Sequence, residues 1–348
     1  MIEIDGAEKS GSGTVVRFAV ALCTLTGEPV HLVRIRAKRE KPGLRPQHLQ
    51  AVRACASLSS GRLEGDEVGS REIVYYPGET AFEGGARQWD IGTAGSATMM
   101  AFALVPIALF ARTRSQFTIK GGLFQDFAPT AFHMQRVLFP LIEKMGARAR
   151  LDVVRPGYVP RGGGELAVAV EPVKAPLKGL DLTRRGEVTK IGGVSLASHL
   201  ERERVARRMA DRSAALLGER GYRAEMEVIE DASALQKGAA LFLRAETRTG
   251  CILGSDRAGK RGRGSESIAG HAVEALFEDL AAGATVDRYA ADQLILFAGL
   301  AAGRSRYLVP AITDHVRSNA WLIEKMLGAR VDTAGNMISI DGVGFFRE

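Results

Sequence analysis

The stretch Leu141-Ile-Glu-Lys-Met-Gly-Ala-Arg148 recurs as Leu322-Ile-Glu-Lys-Met-Leu-Gly-Ala-Arg330, with one leucine inserted. In each copy an amphipathic helix runs into a glycine suited to a left-handed cap, and an extended segment follows. A weaker third copy, Pro46–Leu63, is a helical stretch that ends at Gly61 and enters a strand. Upstream of each lies an apolar helix of small residues: Thr14–Leu25, Ser96–Ala111 and Ala291–Ala301. Strand pairs follow two of the second helices, Leu151–Val154 with Glu165–Val170 and Ala329–Asp332 with Met337–Asp341. The expected fold class is α+β, with a unit of two helices on one face of a small β-sheet used three times. The small side chains let such helices lie close to their sheets.

Working outward, the three units cover about 1–91, 92–183 and 277–348, so a repeat domain of 1–183 and 277–348 surrounds a break at 184–276. The break opens at Arg184-Arg185-Gly186 and carries a charged helix over about Ser198–Leu217. Strands are expected near Glu225–Ile229, Ala240–Arg244 and Cys251–Leu253. A basic glycine loop, Gly259-Lys-Arg-Gly-Arg-Gly264, leads to a helix from near Ser265. These features describe a small inserted α+β domain. Its loop suits either a nucleic-acid contact or a solvated turn.

Composition narrows the class. Of 348 residues, 46% are hydrophobic and 25% charged, the balance of a globular protein and not of a disordered one. A net charge of +7 points toward an anionic partner without establishing one. Cys23, Cys55 and Cys251 are dispersed, as reduced thiols are, and form no metal-site spacing. Met1-Ile-Glu-Ile-Asp5 reads as a strand, not a basic leader, and the longest apolar run, Met99–Ala111, is too short to span a bilayer and contains Pro106. A cytoplasmic protein with no membrane partner is expected, and a homodimer is left open.

The densest charge lies in Arg34-Ile-Arg-Ala-Lys-Arg-Glu-Lys-Pro-Gly-Leu-Arg-Pro-Gln-His-Leu49. The alternation Val33, Ile35, Ala37 reads as a strand with Arg34, Arg36 and Lys38 on its other face. Guanidiniums converging beside a rigid turn suit a phosphate, whose oxygens they bind bidentately; a solubilising edge strand is the plain alternative. Six histidines are present. His315 lies in the polar cluster Thr313-Asp-His-Val-Arg-Ser-Asn319, between an apolar strand, Tyr307–Ile312, and a helix, Ala320–Leu327. A neutral imidazole there is a competent nucleophile near pH 7. His48 reads as a cap or packing residue, and His133, His199 and His271 as structural or exposed on helical faces. Ser10-Gly-Ser-Gly-Thr14 and Gly92-Thr-Ala-Gly-Ser96 open helices and could present N–H groups to an anion, although neither has P-loop spacing.

In order along the chain stand Ile4-Asp-Gly6 with Arg17, Ile35-Arg-Ala37, Lys41-Pro-Gly-Leu44, Gln47-His-Leu49, Glu64-Gly65 and Gly69-Ser70. Asp90-Ile-Gly-Thr-Ala-Gly-Ser96, Gly121-Gly122, Tyr158 with Pro160 and Gly162–Gly164, Tyr289 with Ala291-Asp-Gln-Leu294, and His315 with Asn319 complete the set. This ordered set resembles the RNA 3′-terminal phosphate cyclases over nearly the whole chain. The resemblance implies three repeats with an inserted domain, and an ATP-dependent enzyme that turns RNA 3′-phosphate ends into 2′,3′-cyclic phosphodiesters. It implies that His315 forms a covalent adenylyl-histidine and that AMP then passes to the RNA phosphate. Arg17, Arg36, Arg39 and Gln47 match the grip on that phosphate. Tyr289, Ala290, Ala291, Asp292 and Gln293 match the adenylate-binding segment, with Phe102 where a nucleotide-contacting glutamine is usual. A divalent cation, Mg or Mn, is implied beside ATP, but Ser10 stands in place of the glutamate associated with it, so its ligand is unknown. Residues 123–127, Leu-Phe-Gln-Asp-Phe, replace a threonine-aspartate stretch. Two rivals keep their place: a catalytically weak or inactive cyclase-like RNA-binding protein, and a small-molecule transferase on the same scaffold, as in enolpyruvyl transferases.

Overall fold

The computed structural model describes residues 1–78, 82–126 and 128–347; Phe127, of the 123–127 stretch, lies outside them. The chain begins with β1 (Ile2–Asp5), α1 (Gly13–Thr26), β2 (Val30–Val33), α2 (Pro46–Ser59), β3 (Arg62–Glu64) and β4 (Ile73–Tyr76). β5 (Gly85–Asp90), α3 (Ala97–Ala108) and β6 (Ser115–Gly121) follow. Next come α4 (Ala131–His133), a π-helical turn (Met134–Leu138), α5 (Phe139–Glu143), β7 (Arg148–Arg155) and β8 (Gly164–Glu171). β9 (Asp181–Leu182) precedes β10 (Val188–Ser198), α6 (Val205–Glu219), β11 (Ala224–Asp231), β12 (Gly238–Thr247), β13 (Ile252–Ala258) and α7 (Ser265–Ala281). The chain closes with α8 (Ala290–Leu300), β14 (Ala302–Leu308), α9 (Asp314–Leu327), β15 (Arg330–Ala334) and β16 (Met337–Val343).

Three of the sheets share one pairing scheme: an edge strand parallel to the next, then two antiparallel pairings. The orders are β1-β2-β4-β3, β5-β6-β8-β7 and β9-β14-β16-β15. The fourth sheet, β11-β10-β12-β13, is wholly built from residues 188–258, with α6 and α7 packed together. Its central strand β10 is absent from the sequence reading. Ile191–Ser198 is buried on both faces, so no alternation marks it. The helix expected at Ser198–Leu217 therefore begins only at Val205, and His199 lies in the bend just after β10 instead of on a helix, donating Nε2–H to the Ala234 carbonyl at 2.7 Å.

The core explains the alanine-rich helices. Phe18 of α1, Phe102 of α3 and Phe297 of α8 meet at its centre, with ring centroids 5.2 and 6.1 Å apart along the series. Tyr75 of β4 is fully buried, and its hydroxyl joins Thr24 of α1 at 2.9 Å and Ser59 of α2 at 2.8 Å. Tyr75→Phe leaves both hydroxyls short of a partner, and is expected to lower stability by about 1–3 kcal/mol, read as a shift in denaturant midpoint with unchanged slope.

Three local expectations are corrected. The alternation through Val33, Ile35 and Ala37 does not continue β2: Arg34 and Arg36 take φ of 49° and 54°, and residues 34–40 form turns. Arg36 fixes them, donating Nη1–H to the carbonyls of Lys41 and Gly43, each at 2.8 Å. Likewise the strand read as Tyr307–Ile312 ends at Leu308, and the helix begins at Asp314 because the Thr313 hydroxyl accepts from the Val316 amide. The left-handed cap after α2 is Ser60, not Gly61.

Candidate active site

The N-termini of α1, α2 and α9 converge. Ser12 caps α1 and Thr313 caps α9, so both helices direct unpaired amide dipoles at the space between them. His315 occupies the first turn of α9, half-buried, with Nδ1 3.4 Å from the Thr14 hydroxyl of α1. Burial, and then the Arg39 and Arg17 cations, hold its pKa below the ordinary imidazole range. The ring is neutral at pH 7, and Nε2 makes no hydrogen bond among the described residues.

His48, at the third position of α2, is buried and accepts from the Arg45 amide through Nδ1 at 3.2 Å. Its ring lies against Gly13, where a Cβ would stand 2.0 Å from Nε2; only glycine lets α1 begin there. Burial and the cations Arg17, Arg36 and Arg45 keep it well below its usual pKa. It is a cap, as read from the sequence.

Arg17 is 7% exposed, and burial lowers its pKa to about 10, so it remains charged. The Asp292 carboxyl favours that charge and Arg36 opposes it. Arg36 is itself lowered by burial and by Arg39 and Arg45. Arg17 and Arg39 thus act on His315 directly, and Arg36 stands within reach of both. Buried Arg17 Nε has no partner among the described residues. A cation so placed is stabilised by an arriving anion.

Asp292, in the first turn of α8, is pushed up to about 7 by burial. Asn319 of α9 donates to its carbonyl at 2.9 Å. The amide oxygens of Gln293 and Asn319 are buried and have no partner among the described residues. Together with Arg17 Nε they form a polar lining around Asp292 that awaits hydrogen-bonding groups. Tyr289 is half-buried just before α8, and Ala290 and Ala291 are buried within it.

Two of the residues singled out lie apart from this lining. Phe102 is 1% exposed and covered by Phe18 and Phe297, so its ring belongs to the core. Gln47 accepts from the Ser96 amide at 2.9 Å, tying the start of α2 to the start of α3. The Ser10 hydroxyl is taken up by Ser12 at 2.9 Å and Ser318 at 2.8 Å. No group of three or more His, Cys, Asp or Glu able to hold a metal occurs among the described residues. The residues present do not fit a divalent cation held by the protein.

The profile described as RNA 3′-terminal phosphate cyclase matches residues 8–333. The chain belongs to the RNA 3′-terminal phosphate cyclase family. Relatives bearing that description include one from Pyrobaculum neutrophilum, 37% identical over 99% of each chain. Another, from Archaeoglobus fulgidus, is 38% identical over 98% of this chain and 100% of its own. A third, from Nitrosospira multiformis, is 38% identical over 95% of this chain and 92% of its own.

Sequence reasoning on this cyclase-family chain missed one buried group beside the site. His133 and Asp287, both fully buried, pair at 3.0 Å. They are 154 positions apart, so spacing could not have joined them.

Proposed function

We propose that this chain converts RNA 3′-phosphate ends into 2′,3′-cyclic phosphodiesters at the expense of ATP, with His315 as nucleophile. The observation that carries this reading is the neutral His315 ring beside Thr14, with Arg17 and Arg39 acting on it and Arg36 next to both. Thr14 accepts from Nδ1–H, which leaves the Nε2 lone pair free. Nε2 attacks the α-phosphorus of ATP; an N–P bond forms, the bond to the β-phosphate oxygen breaks, and pyrophosphate leaves. The helix N-termini and guanidiniums stabilise the added phosphoryl charge. The RNA 3′-phosphate then takes AMP from the histidine. Finally the adjacent 2′-hydroxyl attacks that phosphate, loses its proton and expels AMP, at the high effective molarity of an intramolecular reaction. Arg17 Nε and the amide oxygens of Gln293 and Asn319 supply polar atoms suited to the nucleotide, unpartnered among the described residues.

Incubation with α-labelled ATP and a divalent cation, followed by denaturing electrophoresis, tests the first step. An acid-labile, alkali-stable label on the protein is the expected result. A protein that binds RNA 3′-phosphate ends without labelling would establish the second reading, a catalytically weak relative, which the engaged Ser10 hydroxyl favours. The shared pairing scheme of three sheets also supports three copies of one unit with an insertion. Because α7 runs unbroken to Ala281, the insertion is proposed to end there and not at 276.

The depressed pKa of His315 has a kinetic sign. The neutral ring is the reactive form, so self-adenylylation is expected to persist to below pH 6.5, the ordinary imidazole value, before falling with acid. Arg39→Ala removes one cation that disfavours the protonated ring, and should move that acid limb to higher pH. A pH–rate profile of both proteins checks it.

A further inference from the structure

We infer that His133 and Asp287 form a positioning pair that sets the adenylate-binding turn at the start of α8, and so governs the affinity for ATP. The inference rests on the reading of Tyr289–Gln293 given above. Asp287 lies just before α8 and is 0% exposed. Its Oδ1 accepts from the amides of Tyr289 at 2.8 Å and Ala290 at 2.9 Å. Its Oδ2 accepts from the Gly254 amide of β13 at 2.7 Å. His133 Nε2 lies 3.0 Å from both carboxylate oxygens. One carboxylate thus gathers three backbone amides and one imidazole, and two of those amides belong to the adenylate segment.

The imidazole does more than neutralise Asp287. The Tyr289 ring stands edge-on to it, with centroids 5.3 Å apart and planes at 80°. The direction of the Tyr289 side chain is therefore set twice, by its own amide bonded to Asp287 and by the ring behind it. His133 is held in turn by its place in α4, whose cap Thr130 donates its amide to Asp256 of β13 at 2.8 Å. Asp287 is kept ionised by His133 and by the Ala290 and Gly254 amides against the effect of burial. This is more machinery than a helix cap needs: a serine or asparagine accepting one amide suffices elsewhere, as Ser12, Ser96 and Thr313 do here. The surplus is spent on a fixed direction for Tyr289, and it reaches from β13 of the fourth sheet to the first turn of α8.

The test compares His133→Leu, His133→Gln and Asp287→Asn with the unaltered protein, each well below its unfolding temperature. Two quantities are read: the ATP concentration giving half-maximal self-adenylylation, and the rate of AMP transfer to RNA from pre-adenylylated protein. His133→Leu should raise the first by about tenfold and leave the second within about twofold, because misplacement falls on nucleotide contacts alone. His133→Gln retains a side-chain N–H donor and should recover most of the loss. Asp287→Asn keeps a cap acceptor but loses the ion pair; it should raise the ATP requirement even where His133→Leu fails to fold. Unchanged ATP dependence in Asp287→Asn and in whichever His133 variants fold, with only thermal stability reduced, would overturn the positioning role. An unlabelled parent protein would instead overturn the adenylylation reading on which it rests.

Discussion

His315→Ala is expected to abolish self-adenylylation, by on the order of 10³-fold or more, while leaving the fold and the binding of RNA ends intact. The ring is half-buried and its one hydrogen-bond approach among the described residues is the long 3.4 Å one to Thr14, so its removal opens no fully buried cavity and leaves little unsatisfied polarity. The α9 cap is made by Thr313, not by the histidine, so the helix starts in the same place. The loss is therefore chemical. Neighbouring nucleophiles offer no detour: His48 gives Nδ1 to the Arg45 amide and its Nε2 is pressed against Gly13, and His133 is fully buried on Asp287. Labelled-ATP electrophoresis beside circular dichroism checks both halves, and persistent labelling in a folded variant would sink the assignment of His315.

Arg39→Ala is expected to separate the two half-reactions. Transfer of AMP to an RNA 3′-phosphate should fall by about 10²–10³-fold, the usual loss when one charge-stabilising group leaves a phosphoryl site. Self-adenylylation near neutral pH should stay within a few-fold, because Thr14 and Arg17 remain in place. Arg39 is exposed and pairs with no carboxylate among the described residues, so the substitution removes charge without breaking a structural contact. Arg36 makes the poorer probe: it braces the turn through Lys41 and Gly43, and its loss would displace Arg39 as well. Single-turnover transfer from pre-adenylylated protein gives the measurement. Equal loss of both steps would contradict the placement of Arg39 at the RNA phosphate.

Much of the scaffold was legible because its signals are local. Alanine-rich apolar runs became α1, α3 and α8; Ser12 and Ser96 cap helices where glycine-serine turns were read; and Gly328 takes the left-handed cap expected of it. The failures share a cause in tertiary context. β10 has both faces covered, so its sequence carries no period of two. The Arg34–Lys38 alternation mimics a strand, yet Arg36 bonds carbonyls across a turn and overrides it. At the site, the motifs marked His315, Arg17 and Asp292, but Phe102 was carried over by position onto a ring that the core encloses. The His133–Asp287 pair stayed hidden because each residue alone resembles an ordinary helix residue and an ordinary turn acid.

The parallel pairing of β9 with β14 joins Asp181 to Arg306, and the contact of Thr14 with His315 spans 301 positions. During synthesis, β9 must therefore wait with an open edge while the whole fourth sheet is made. The proposed nucleophile, His315, meets its guanidiniums only when the last helix, α9, has emerged. Long-range closure of this kind is slow to form, and it carries a benefit for the cell: a truncated or stalled chain holds the arginines without the histidine. On the function proposed above, such fragments can cling to anions but cannot consume ATP.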